Sequence, residues 1–201
     1  MPRTKAPPLN KFYNEDSELL EIGIDEAGRG PLFGRVYTGA VILPKDVDFD
    51  FDKMKDSKKF NSNKKINEVA EYIKEKALAW SVTYNDETVI DNINIRQSVL
   101  GSMHNSIKNV MTDDNEYLPI NHICIEGGDN KYCAIAAASI LAKTERDKYI
   151  EELCEENPEL KEKYSIDKNK GYGTRKHLDG INNFGITKWH RKTYGICKHY
   201  C

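Results

Sequence analysis

The stretch Ile22–Pro44, "IGIDEAGRGPLFGRVYTGAVILP", decides how the rest of the chain is read. Two runs of β-formers flank a corner in which Asp25, Glu26 and Arg29 stand among glycines. The first run ends in turn chemistry and the second closes at Pro44, so the pair reads as consecutive strands of a hairpin. A packed hairpin needs no charges at its corner. Strand ends in a helix-covered sheet deliver side chains into a crevice, and Asp25 and Glu26 sit at such an end. Carboxylates held close together repel, and a divalent cation is the common remedy. Gly28, Gly30 and Gly34 let the backbone approach a ligand closely, while Arg29 offers a forked donor suited to phosphate. Taken alone, the Asp-Glu dipeptide reads more readily as an acidic turn.

Working outward, the pattern is α/β without repeats. "INEVAEYIKEKA" places Ile66, Val69, Ala70, Ile73 and Ala77 at helical spacing, and "WSVTYND" alternates as a strand does. A second helix carries Ile95, Val99, Met103 and Ile107 on one face. "INHICIEGG" reads as a short buried strand, since Ile123, Cys124 and Ile125 are all apolar and β-prone. A long helix is expected from Cys133 to about Glu156, its alanine-rich first half suited to close packing on a sheet, with Pro158 marking its end. The expected divisions are a flexible tail over 1–17, a core over 18–157 and a basic helical appendage over 158–201.

Composition narrows the classes. The chain has 201 residues, 39% of them hydrophobic and 31% charged, which suits one globular domain. No apolar run approaches the roughly 20 residues that cross a bilayer, so no membrane partner is expected. The start, "MPRTKAPPLNKFYNEDSE", lacks the apolar core of a secretion signal, and an intracellular, cytoplasmic location is the default expectation. Five cysteines in irregular positions suit reduced thiols. Cys197, His199 and Cys201 lack the second ligand pair of a structural zinc site. A net charge of −2 leaves any polyanion site to a local basic patch. A monomer is expected, because no heptad appears.

"GRGPLFG" is not a dinucleotide fingerprint, no Walker-type lysine is present, and no nucleophile elbow appears. Metal-assisted chemistry on a phosphate is left. Ser139, Lys143 and Asp147 recur every fourth residue as a polar stripe on the long helix, which faces either water or a cleft. In the tail, Lys168, Lys170, Arg175, Lys176, His190, Arg191 and Lys192 alternate with Tyr172, Trp189 and Tyr194, a combination suited to tracking a backbone and stacking on a sugar or base.

Together "GIDEAGRGPL", "DSKKF", "NIRQSVLGSM", "GGDNKY", "AIAAASILAKTERD", "KGYGTRKHLDG" and "WHRKTYG" resemble the bacterial-like ribonuclease HII family, in family order from about Leu19 to Tyr194. The resemblance implies a ribonuclease H-like mixed sheet flanked by helices, with a small C-terminal helical appendage. It implies a two-metal Mg²⁺ or Mn²⁺ endonuclease acting on RNA–DNA hybrids and on ribonucleotides embedded in duplex DNA. The cut falls 5′ of the ribonucleotide and leaves a 3′-hydroxyl and a 5′-phosphate. Asp25, Glu26 and Asp147 match metal-binding carboxylates. Gly28, Arg29 and Gly30 match the segment that reads the 2′-hydroxyl, and Tyr172 matches the tyrosine that stacks on the neighbouring sugar. Ser57, Lys58, Lys59 and Lys143 are candidate phosphate or orienting contacts. Glycine-flanked backbone groups can reach a 2′-hydroxyl without a clash, and that group alone marks RNA at a single nucleotide.

The chain departs from the family between Val110 and Gly128, which is too short for both the family's Asp-Gly strand and the strand before "GGD". One central strand is unaccounted for. Either "MTDDN" keeps a remnant, with Asp113 as the carboxylate, or "HICIEG" fills the place beside the first strand, with Glu126 there. The second is preferred, because 112–118 is too polar for a buried strand. A catalytically impaired binder of hybrid duplexes is the alternative function.

Overall fold

A computed structural model describes residues 7–15, 19–45, 49–111 and 121–200. Asp113 and part of the expected tail lie outside the described residues. The opening hairpin forms as read: β1 (Ile22–Ala27) pairs antiparallel with β2 (Val36–Ile42), with Asp25 opposite Gly39 and Glu26 opposite Thr38. β2 pairs antiparallel with β3 (Ala79–Asn85), giving a sheet of order β1-β2-β3.

Each face of this sheet is covered by a long helix. α3 (Cys133–Glu156) lies on one face, where its alanines meet the sheet at glycine. A methyl carbon added at Gly23 would stand 2.1 Å from the carbonyl carbon of Ala134, and one at Gly39 would stand 2.5 Å from the Ala138 oxygen. Val41, Ala137, Ile140 and Leu141 share a core there with Ile66, Ala70 and Ile73 of α1 (Asn63–Lys76). The Gly23→Ala variant is therefore expected to unfold with about 2–3 kcal/mol less free energy, read from urea denaturation, because backbone cannot yield as a side-chain tip can.

α2 (Glu87–Val110) covers the other face, kinked at Asn94, whose φ is +66°. Beneath it Thr38, Thr83, Ser102 and Ser106 bond to one another at 2.7–3.0 Å, so these four hydroxyls satisfy one another. The C-terminal residues form α4 (Glu159–Tyr164), α5 (Ile166–Asn169) and α6 (Arg175–Phe184), with a last 3₁₀ turn at Gly195–Tyr200. Leu160, Tyr164, Ile166 and Ile181 pack with Phe33 and with Ile150 and Cys154 of α3.

One expected element is not formed. "INHICIEGG" carries no strand: 121–125 are irregular, Ile123 is 58% exposed, and β1 keeps an unpaired edge among the described strands. The letters state what the segment would bury, but among the described residues no strand pairs with it.

Candidate active site

One cleft of about 1760 Å³ runs along the free edge of β1, and its lining gathers most of the residues singled out from the sequence. Asp25, Glu26, Gly28, Arg29, Gly30, Ser57, Lys58, Lys143, Asp147 and Tyr172 all face it. Glu126 does not: it is exposed and absent from the lining, because the strand expected to carry it beside β1 is not formed.

Asp25 points to the α3 side of β1, where Ser139 donates to it, and Ser139 Oγ is 3.1 Å from Ser57 Oγ. Burial pushes the Asp25 carboxyl from 3.8 up to about 6, with smaller repulsions from Glu26 and Asp129; the Glu26 amide and the Ser139 hydroxyl offset part of this. Glu26 follows on the strand, so it leaves from the opposite side, and its Oε1 lies 3.7 Å from Arg29 Nη1. Asp147, two turns along α3 from Ser139, is held by Lys143 Nζ at 2.5 Å. Its place one turn after that lysine puts it in the cleft instead of bulk water.

The loop after β1 is held from behind. Arg191 is fully buried, and its guanidinium donates to four backbone carbonyls: Gly28 at 2.6 Å, Pro31 and Gly34 at 2.9 Å, and Arg29 at 3.1 Å. Arg146, also buried, donates to Arg35 O at 3.1 Å, Phe33 O at 3.3 Å and Lys170 O at 3.0 Å. Gly28 has φ +89°, and a methyl carbon there would stand 2.1 Å from Arg146 Nε, so this position excludes any side chain. Backbone bonds Leu32 N to Gly171 O and Gly34 N to Trp189 O stitch the loop to the appendage. Tyr172 thereby stands beside the loop, half exposed, with Cε1 3.6 Å from where a Gly30 methyl carbon would lie. A glycine-framed backbone and an accessible ring thus face one space, next to the acids.

A profile of the ribonuclease HII family matches residues 22–197. A ribonuclease HII of Bacteroides thetaiotaomicron is 42% identical over 198 residues, covering 94% of each chain. The chain belongs to the ribonuclease HII family. It is accordingly a type 2 ribonuclease H, an endonuclease. The ribonuclease H2 of Pyrococcus horikoshii OT3 superposes with a TM-score of 0.73 at 19% identity, covering 90% of this chain and 97% of that one. Bst-RNase HIII in complex with Mn²⁺ superposes with a TM-score of 0.55 at 16% identity, covering 82% and 70%. These structures share the fold.

Within this ribonuclease HII chain, the hard oxygens of Asp25, Glu26 and Asp147 suit Mg²⁺ or Mn²⁺ by donor type. Their spacing does not: among the described residues no three carboxylate, imidazole or thiol groups stand close enough to hold one ion. The basic strip also needs correction. Arg191 and His190 are interior residues, Lys170 is tied to Glu151 at 2.9 Å and Arg175 to Asp179 at 3.0 Å; Lys168 and Lys176 remain exposed. Asp129 was not singled out from sequence, yet it lines the cleft, acts on Asp25 and lies 3.7 Å from Lys58. Asp56, also missed, is buried, caps the turn carrying Ser57 and Lys58, and accepts from Asn130 Nδ2 at 3.0 Å.

His177 and His190 sit Nε2 to Nε2 at 3.1 Å behind the loop. Burial, then repulsion from His177, pushes His190 down to about 3, and burial lowers His177 too. Both folded values lie below the ordinary 6.5, so the unfolded chain takes up these protons first as pH falls. Their stabilising contribution is complete above about 6.5 and is lost toward about 3. Each such proton steepens the acid limb by about 1.4 kcal/mol per pH unit. His190→Gln should flatten that limb by about this slope, read from urea midpoints at pH 4 to 7. Asp25, raised from 3.8 to about 6, acts in the opposite sense across that interval and is common to both proteins.

Proposed function

We propose that this chain cuts the RNA-containing strand of RNA–DNA hybrids, and of duplex DNA carrying a single ribonucleotide, on the 5′ side, leaving a 3′-hydroxyl and a 5′-phosphate. The observation that carries this reading is the meeting of Asp25, the Gly28–Gly30 backbone and the Tyr172 ring in one cleft. Asp25, Glu26 and Asp147 would hold Mg²⁺ or Mn²⁺ as pairs, with water completing the ion's shell, since no three such groups meet among the described residues. A bound ion of this kind supplies a water of lowered pKa and neutralises charge on the phosphate. Gly28, Arg29 and Gly30 present backbone groups to the 2′-hydroxyl, the one feature that marks RNA at a single nucleotide. Tyr172 stacks on the adjoining sugar. Lys143 orients Asp147, and Ser57 and Lys58 stand at the phosphate side.

A non-catalytic binder of hybrid duplexes would keep the loop and ring without cutting, but close kinship with ribonuclease HII over nearly the whole chain favours the enzyme. Turnover of three duplexes with Mg²⁺ or Mn²⁺ separates the readings: one with a single ribonucleotide, one uniform hybrid and one all-DNA. Nicking of the first two and not the third supports the enzyme, and binding without nicking supports the binder. Tyr172→Ala should raise KM for the single-ribonucleotide duplex by about 10- to 100-fold, from a stacking loss of about 1–3 kcal/mol. An unchanged KM would remove Tyr172 from recognition.

A further inference from the structure

Tyr172 is carried by a segment with little regular structure to hold it. It lies between Gly171 and Gly173, outside any helix or strand, and Gly171 has φ +85°. A ring that reads one nucleotide needs a fixed backbone, because a small rotation at either glycine swings it away from the Gly28–Gly30 loop. The Tyr172 amide donates to Asn169 O at 2.9 Å, and its carbonyl accepts from Thr174 N at 2.7 Å. A second donor reaches that carbonyl from the interior: His177 Nδ1, at 3.0 Å.

This bond closes a chain whose direction is set by its two ends. An amide can only donate, and Thr187 N donates to His190 Nδ1 at 2.9 Å. His190 Nδ1 is therefore bare, and the ring's proton sits on Nε2, which donates to His177 Nε2 at 3.1 Å. A carbonyl can only accept, so His177 carries its proton on Nδ1 and gives it to Tyr172 O. The opposite tautomer at either ring would set donor against donor at one contact and acceptor against acceptor at another. Both rings are buried between Phe33 and Tyr164, with His190 5.1 Å from the Phe33 ring and 5.3 Å from that of Tyr164, so solvent supplies no substitute partner. Burial lowers both imidazoles, which keeps the pair neutral as the chain requires. Packing alone needs no such direction, since two apolar side chains would fill the same space.

We propose that His177 is a positioning residue for ribonucleotide recognition and that His190 sets its tautomer: together they fix the Tyr172 backbone, and with it the place of the ring beside the loop. The consequence for cutting rests on the nuclease reading; the pinning of Tyr172 does not.

Two substitutions separate the bond from the bulk. His177→Asn keeps an amide donor where Nδ1 stands, whereas His177→Gln moves it to the Nε2 position and leaves Tyr172 O without it. Hydrogen exchange at the Tyr172 and Thr174 amides should run about tenfold faster in His177→Gln than in the parent, and near the parent rate in His177→Asn. Equal rates in His177→Gln and the parent, or equal acceleration in both variants, overturn the proposal. On the single-ribonucleotide duplex, His177→Gln should raise KM about fivefold, the worth of one hydrogen bond, with kcat within about twofold. In a Tyr172→Ala background it should raise KM no further, and the same rise in both backgrounds would mean that His177 acts without Tyr172 and sink the idea. Should His177→Gln fail to fold, ¹⁵N NMR of the parent decides: protons on His177 Nδ1 and His190 Nε2 support the chain, and the opposite tautomer at either ring overturns it. A parent that shows the expected exchange pattern but does not nick would refute the nuclease reading and leave the pinning intact.

Discussion

Arg191→Met is expected to lower the unfolding free energy by about 4 kcal/mol, the largest stability loss predicted for any single side chain here. The guanidinium donates to the carbonyls of Gly28, Arg29, Pro31 and Gly34, and a thioether donates to none. Each abandoned buried carbonyl costs about 1 kcal/mol, and these costs fall on the loop that faces the substrate. Burial already holds the Arg191 guanidinium down at about 10, still charged at neutral pH. Arg191→Lys should recover little, since an ammonium group cannot span four diverging acceptors as a planar fork does. Urea denaturation measures the loss, and a change below about 1 kcal/mol would show that water replaces the guanidinium without penalty.

Asp25→Asn should lower nicking of a single-ribonucleotide duplex about a thousandfold or more while leaving the fold as stable as before or slightly more so. Asp25 is a carboxylate pressed into a partly buried site beside Glu26 and Asp129, and its pKa is raised for that reason. An amide keeps the shape and relieves the repulsion. Loss of activity with retained stability is therefore the mark of a group kept for chemistry. Parallel loss of both would make Asp25 a structural residue.

The hairpin, α1, α2 and α3 were legible because period and turn chemistry are local, and the alanines of α3 forecast the close approach that Gly23 and Gly39 permit. The acidic pair and Asp147 were legible as candidates, and the fold places them in one cleft. Arg191 was misread because a solvated cation and a buried one are spelled alike. The available clue lay elsewhere in the chain: "GRGPLFG" has several carbonyls and no regular structure of its own to satisfy them, so donors had to come from outside it. The segment 121–125 was misread for a different reason. Apolar β-prone letters specify a demand for burial, and only the surrounding fold decides whether that demand is met.

End-group mapping of products most directly tests the claim that this cleft reads a ribonucleotide and cuts beside it. An end-labelled duplex with one ribonucleotide, incubated with the protein and Mg²⁺ or Mn²⁺, should give a single nick 5′ of that residue. The fragments should carry a 3′-hydroxyl and a 5′-phosphate, and Asp25→Asn should leave the duplex intact. Cuts scattered along the strand, or the same nick from the Asp25→Asn protein, would contradict the account.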